Sequence, residues 1–211
     1  MKIIFITPCS RVFNIPLIFN ELDNLKGFDW EWIIVLDKAA PEYFASDRIL
    51  RNLPLTDRVT VLKPDITKSF VGHSLRNYAL RYLEENPLIN YPYYICQLDD
   101  DTIPHEHFDR LSDILNDYYP KTIVFNQAYR DGGMRLITDT IPIFGRCDTG
   151  TFLVSRHHAH GLRYNESEYA GDYLYIKELF DKFPDFVKPT EDKLGYYNWI
   201  TDEDLTFNRR S

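Results

Sequence analysis

The residues with the clearest chemical potential are Asp99, Asp100 and Asp101, which follow the apolar run Tyr93-Tyr94-Ile95-Cys96-Gln97-Leu98 and precede Thr102-Ile103-Pro104. Three adjacent carboxylates at the end of a buried strand repel one another where the dielectric is reduced. A positive partner relieves that repulsion, and a hard divalent cation such as Mg2+ or Mn2+ prefers oxygen ligands. Mg2+ rarely takes an all-protein cage, so a metal held here implies a phosphate-bearing substrate. In an open α/β sheet the ligand crevice lies at the carboxyl ends of the strands, where this cluster falls. The competing reading is structural: Asp101 or Thr102 caps a following helix, with Pro104 in its first turn.

Four other segments carry candidate site residues. Thr7-Pro8-Cys9-Ser10-Arg11 leaves the first apolar run; it either holds a nucleotide at a strand end, with Arg11 near phosphate or base, or forms a plain turn capped by Ser10. Asp37 directly follows the apolar residues 32–36 and either accepts hydrogen bonds from a ribose or base or opens a loop. In Gly72-His73-Ser74-Leu75-Arg76-Asn77 a glycine precedes a helix, an arrangement that lets backbone approach a ligand. Leu75 and Ala79 face the core, so Arg76 and Asn77 fall toward the helix edge, with Arg76 meeting a diphosphate, an acid or solvent. Asp172 is placed as the N-cap of the last helix, where the helix dipole favours an ionised carboxylate able to accept a proton.

Other chemistries find no support. His157, His158 and His160 cluster, as do His105 and His107, but neither set has zinc spacing. There is no GxSxG elbow and no GxxxxGK[ST] loop, which disfavours a serine hydrolase and a P-loop enzyme. Tyr164, Tyr169, Tyr196, Tyr197 and Trp199 are candidates for stacking on a sugar, in a chain that is 15% aromatic.

The elements that must position these residues follow from periodicity. Short apolar runs at 2–7, 32–36, 58–63, 93–98, 122–126 and 151–155 read as strands. Helical spacing of apolar residues appears in 74–85, 105–118 and about 173–183, the last placing Tyr173, Ile176, Phe180 and Phe183 on one face. Strands alternating with helices predict an α/β fold, a mostly parallel central sheet flanked by helices. Arg130-Asp131-Gly132-Gly133-Met134-Arg135 reads as a mobile loop. Residues 184–211 are expected to wrap the domain.

At 211 residues the chain fits one domain and can bury a substantial core. A composition of 44% hydrophobic and 27% charged residues argues against disorder. The formal charge of −8 speaks against a non-specific nucleic-acid binder. Cys9, Cys96 and Cys147 form no CxxC pair, and two lie in or beside predicted strands, which predicts buried free thiols and a reducing compartment. No segment reaches transmembrane length, so a cytoplasmic protein without a membrane span is expected.

The order of these motifs resembles the family 2-like glycosyltransferases. Ile6 to Arg11, Trp32 to Val35 with Asp37, Gly72 to Asn77 and Leu98 to Asp101 carry the resemblance. Cys147-Asp148-Thr149-Gly150 with Phe152-Leu153-Val154, and then Gly171-Asp172, continue it, so that about residues 2–180 are covered. It implies a single GT-A-like (Rossmann-like) domain over 1–211, with a nucleotide-binding half at about 1–101 and an acceptor half at about 102–211. It also implies metal-dependent, inverting transfer of a hexosyl or deoxyhexosyl group from a nucleotide-diphosphate-sugar to the hydroxyl of a glycan or other acceptor. The family's DxD motif would correspond to Asp99 and Asp101, with Asp101 and Asp99 as ligands of Mn2+ or Mg2+. Thr7, Pro8, Arg11, Asp37, Arg76, Asn77, Asp99 and Asp100 would bind the nucleotide-sugar, and Asp172 would be the catalytic base. The chain departs from the family in having Gly171-Asp172 for the usual Glu-Asp, and Lys38-Ala39-Ala40 where Asp-Gly-Ser is common. The acceptor half is short and minimal, which leaves room for completion by a partner or further domain. The alternatives are an inactive nucleotide- or glycan-binding module of the same fold and a sugar nucleotidyltransferase, the latter disfavoured by the lack of a glycine-rich basic amino-terminal loop.

Overall fold

The computed structural model describes residues 2–53, 57–66, 72–86, 91–104, 106–115, 121–136, 139–189, 193–197 and 200. In chain order these form β1 (Lys2–Cys9), α1 (Ile15–Asp23), β2 (Asp29–Leu36), α2 (Ser46–Arg51), β3 (Val59–Leu62), α3 (His73–Glu85), β4 (Tyr93–Gln97) and β5 (Ile103–Pro104). Then come α4 (Leu111–Leu115), β6 (Thr122–Val124), β7 (Asn126–Ala128), β8 (Met134–Leu136), β9 (Phe152–Ser155), α5 (Arg156–Ala159), α6 (Gly171–Lys182), β10 (Phe186–Val187) and β11 (Lys193–Tyr196).

Seven strands make the main sheet in the order β10-β6-β9-β4-β1-β2-β3. β1 is central and pairs in parallel with β2 and β4, and β3 extends the parallel run beyond β2. β9 runs antiparallel to both β4 and β6. β1, β4 and the second half of β2 read as near-continuous apolar runs because both of their faces are buried, whereas β3 at the edge is half-buried. Alternate residues divide between two cores: Phe5, Trp32, Ile34, Tyr94 and Cys96 pack with α1, while Ile4, Ile6, Ile33, Val35 and Ile95 pack with α3 and α6. Cys9 and Cys96 are free and buried, and Cys147 is free and half-buried. No helix among the described residues is long and apolar enough to cross a membrane.

A second sheet, β5-β11-β7-β8, departs from the sequence reading. The apolar run 122–126 divides into β6 and β7, so the chain crosses from one sheet to the other at Phe125, whose N–H bonds Thr151 O at 2.8 Å. Residues 130–133 form the hairpin turn between β7 and β8, and Met134 and Arg135, read as part of a loop, open β8. Tyr129 N–H reaches Gly133 O at 2.7 Å, and Gly132 takes φ +84°, a left-handed conformation that suits glycine. The region read as a wrap instead supplies β10 at the edge of the main sheet and β11 inside the second. Within 105–118 the described part is a 3-10 turn at Glu106–Arg110 followed by the single short helix α4. The buried face of α6 is centred on Tyr175, Ile176 and Leu179, so Tyr173 turns away from the core.

Candidate functional site

The parallel strands β1, β2 and β4 end side by side, and the chain leaving each contributes to one cavity of about 360 Å³. Pro8 lies near the end of β1 and Ser10 and Arg11 follow it, Asp37 follows β2, and Asp99, Asp100 and Asp101 follow β4. Gly72, Leu75 and Arg76 enter from α3, and Tyr197 from the end of β11. This is the crevice expected at the carboxyl ends of a parallel sheet.

The three aspartates differ sharply in their surroundings. Asp100 Oδ2 accepts hydrogen bonds from Ser10 N at 2.7 Å, Ser10 Oγ at 2.8 Å and Arg11 N at 2.7 Å, while Oδ1 takes Arg11 Nη1 at 3.1 Å. Its carbonyl takes Asn14 Nδ2 at 2.6 Å. Asp100 therefore clasps the turn after β1 to the turn after β4. Asp101 is paired with Arg11 and Asp99 with Arg76. Burial pushes both of these carboxyls above the ordinary carboxylate range. For Asp99, the charges of Asp148, Asp172 and Asp101 add to that effect and Arg76 opposes it. For Asp101, Arg11 opposes it. Ile103–Pro104 is a strand paired with β11, so no helix begins where Asp101 or Thr102 was a candidate cap.

Arg76 is almost wholly buried, because the first turn of α3 packs its polar residues inward: His73, Ser74, Arg76 and Asn77 are all buried. Arg76 Nη2 also donates to Thr149 Oγ1 at 3.2 Å. Gly72 permits this arrangement. It takes φ +77°, and a Cβ there would stand 2.8 Å from Arg76 Nη1 and 3.1 Å from Pro8. Two of the residues predicted to bind the nucleotide-sugar, Thr7 and Asn77, fall outside the cavity. Thr7 accepts Trp32 Nε1 at 2.9 Å within the core. Asn77 donates to Tyr164 O at 2.9 Å and Glu166 Oε1 at 2.8 Å, tethering the segment before α6.

Arg76, Asp99 and Tyr197 also line a second cavity of about 280 Å³. Asp172 lies on its wall with Arg135, Cys147, Asp148, Thr149 and Tyr173. Asp172 sits inside the first turn of α6 and makes no cap bond; Ala170 holds the N-cap position. Its Oδ1 lies 3.0 Å from His73 Nε2. Arg135, Asp148 and His73 were not singled out from sequence. Arg135 reads as part of a loop, Asp148 stands in a segment distinguished only by its order in the chain, and a lone histidine gives no sign of its burial. Asp148 caps the 3-10 turn at Thr149–Thr151, accepting Gly150 N at 3.2 Å, and is ion-paired with Arg135. Arg135 in turn lies over the Tyr197 ring, 3.4 Å from its centroid. Phe144, 68% exposed, and Tyr169, 80% exposed, stand at the rim. Trp199 lies outside the described residues, and Tyr164 is buried beneath α6 in a stack with Tyr175.

Among the described residues no three His, Cys, Asp or Glu side chains could by themselves hold a metal ion. Asp99 and Asp101 nevertheless fit a hard cation that completes its shell with phosphate and water. They are oxygen donors on one cavity wall, and both carboxyls are held up by burial, which a nearby cation would reverse.

Neither protein-family models nor curated protein sequences match the chain. Solved structures do. Residues 1–349 of Staphylococcus aureus TarS in complex with UDP superpose with a TM-score of 0.68 at 16% identity, over 100% of this chain and 64% of that one. The TarS complex with UDP-GlcNAc gives 0.66 and 15%, over 98% and 61%. The mannosyltransferase PcManGT from Pyrobaculum calidifontis, in complex with GDP-Man and Mn2+, gives 0.59 and 13%, over 99% and 60%. The chain spans about six-tenths of the length of these structures. The class this defines is one of fold: an α/β domain of the GT-A type, its mostly parallel sheet flanked by helices.

Proposed function

We propose that the protein is a metal-dependent, inverting glycosyltransferase that moves a sugar from a nucleotide-diphosphate-sugar to an acceptor hydroxyl. The observation that carries this reading is the junction at Asp99, Arg76 and Tyr197, where two cavities meet, one lined by strand-end carboxylates and the other by Asp172. Its support from comparison is the likeness in fold to structures holding UDP, UDP-GlcNAc and GDP-Man, one of them with Mn2+.

In this reading the nucleotide lies in the first cavity, with Asp37 accepting from ribose or base and Arg11 leaving Asp101 for the diphosphate. Asp99 and Asp101 would hold Mn2+ or Mg2+, which when bound neutralises negative charge developing on the departing diphosphate. Arg76 keeps its buried charge beside the same oxygens. The acceptor enters the second cavity, its sugar face against the rim aromatics Phe144 and Tyr169. Asp172 takes the proton of the attacking hydroxyl as the new bond to the anomeric carbon forms and the bond to the diphosphate breaks. A single base on the acceptor side, with no enzyme nucleophile, gives inversion.

The experiment is thermal stabilisation by UDP, GDP, dTDP and CDP, each with and without Mn2+. One nucleotide is expected to raise Tm in a Mn2+-dependent way. Absence of any shift with all four would overturn the reading.

A further inference from the structure

His73 is 0% exposed, and each of its ring nitrogens has one partner. Nδ1 lies 3.0 Å from the carbonyl oxygen of Asn165, and Nε2 lies 3.0 Å from Asp172 Oδ1. A carbonyl oxygen only accepts, so Nδ1 carries a hydrogen. A bare Nε2 facing an ionised carboxylate oxygen at that distance would set lone pair against lone pair. One proton therefore sits between Nε2 and Oδ1, and the ring and carboxyl share it as a unit. The Asp172 carboxyl has no hydrogen bond other than this one among the described residues, and its side chain is 22% exposed on the wall of the second cavity.

The ring is held at both nitrogens, on one face and along one edge. Tyr164 stacks on it with centroids 5.5 Å apart and planes 13° apart, and Tyr175 stacks on Tyr164 at 4.2 Å. Gly171, immediately before Asp172, leaves the space the imidazole occupies. A Cβ there would be 2.4 Å from His73 Cε1 and 2.6 Å from Nδ1. The Gly-Asp pair thus brings the start of α6 onto the His73 edge, an approach that a larger residue before Asp172 would prevent.

We propose that His73 is the positioning residue of Asp172: it holds Oδ1 through the shared proton and leaves Oδ2 to receive the proton of the acceptor hydroxyl. The proposal rests on the reading of Asp172 as the base. The acceptor proton passes to Oδ2 as its oxygen bonds to the anomeric carbon, and the diphosphate departs with the electron pair of the broken bond. The proton between Nε2 and Oδ1 stays between them, and His73, wholly buried, touches neither substrate.

Two substitutions separate the two ring contacts. His73→Asn places an amide near the position of Nδ1, keeping the Asn165 link and losing Asp172; His73→Gln reaches the position of Nε2 and keeps a donor to Asp172. Hydrolysis of UDP-GlcNAc and of GDP-mannose, with Mn2+ and water as acceptor, is followed alongside Tm. For His73→Asn, kcat is expected to fall on the order of 10²-fold with the donor KM nearly unchanged, since a base displaced by about 1 Å costs that much. His73→Gln is expected to recover most of the rate. Wild-type kcat in His73→Asn, or equal losses in both variants tracking a fall in Tm, would overturn the proposal. If Asp172→Asn itself keeps full rate, the base assignment fails first. A readout independent of turnover is the 15N resonance of the His73 ring. Nδ1 is expected to be protonated in wild type and in Asp172→Asn, with Nε2 alone shifting on the substitution. A bare Nδ1, or an Nε2 indifferent to Asp172, would refute the proposal even if neither sugar nucleotide is a donor.

Discussion

Asp100 commits Oδ2 to the backbone and hydroxyl of Ser10 and the backbone of Arg11, and Oδ1 to Arg11 Nη1, whereas among the described residues its neighbours on either side each meet one arginine and no backbone amide. The same substitution at adjacent positions therefore removes different things. Asp101→Asn is expected to leave Tm nearly unchanged and to abolish the Mn2+-dependent part of nucleotide stabilisation; a full Mn2+ effect in this variant would remove Asp101 from the proposed metal site. Asp100→Asn gives up a charge-assisted clasp and is expected to cost about 1.5–3 kcal/mol. It should lower Tm and weaken nucleotide binding whether or not metal is present, which a melt and a titration in chelator would reveal. At this scale the cluster was legible because three acids after an apolar strand are unusual, but the division of labour was not. Adjacent residues in a turn point in different directions, and nothing in their identity says which one meets backbone amides.

The first turn of α3 carries the largest local conflict between sequence pattern and environment. An amphipathic helix ordinarily turns its charged face to water, yet Arg76 and Asn77 are buried and each is held by a specific partner. The helix edge expected for them is the interior junction of α3 with the segment before α6, which no local period reveals. Gly72 is the hinge of this arrangement. Gly72→Ala is expected to cost about 1–2 kcal/mol for the left-handed backbone alone, and its Cβ also displaces Arg76 from beside Asp99. Nucleotide affinity and Tm should fall together. The tether of the same element to residues 164–166 depends on pH. Hydrogen bonds from Asn77 and then Ser74 hold the Glu166 carboxyl below the ordinary glutamate range. A depressed carboxyl contributes stability above its unfolded pKa and loses it as pH falls through the lower folded value. Wild type is therefore expected to lose Tm on acidification more steeply than Glu166→Gln below the usual glutamate range, and parallel curves would show that the tether carries no such linkage.

The parallel half of the molecule could be read from its apolar runs, since strands buried on both faces are continuous in sequence. The second sheet could not, because its strands are only two to four residues long and carry no continuous apolar run. Its consequence reaches across the whole molecule: β11 inserts beside β7, so the chain that follows brings Tyr197 to the wall between the two cavities. There the ring lies against Arg135, itself paired with Asp148, and Tyr197 N–H bonds Ala128 O at 3.0 Å. One side chain thus borders both cavities. Tyr197→Ala removes the aromatic face, a cation–π contact worth about 0.5–2 kcal/mol, and opens the partition. Both nucleotide-induced stabilisation and the rate of transfer or donor hydrolysis are expected to fall, whereas Tyr197→Phe, which keeps the face and loses only the hydroxyl, should preserve both. A Tyr197→Ala protein that loses one function and keeps the other would show that the two cavities work as separate sites, with the ring serving only the one it impairs.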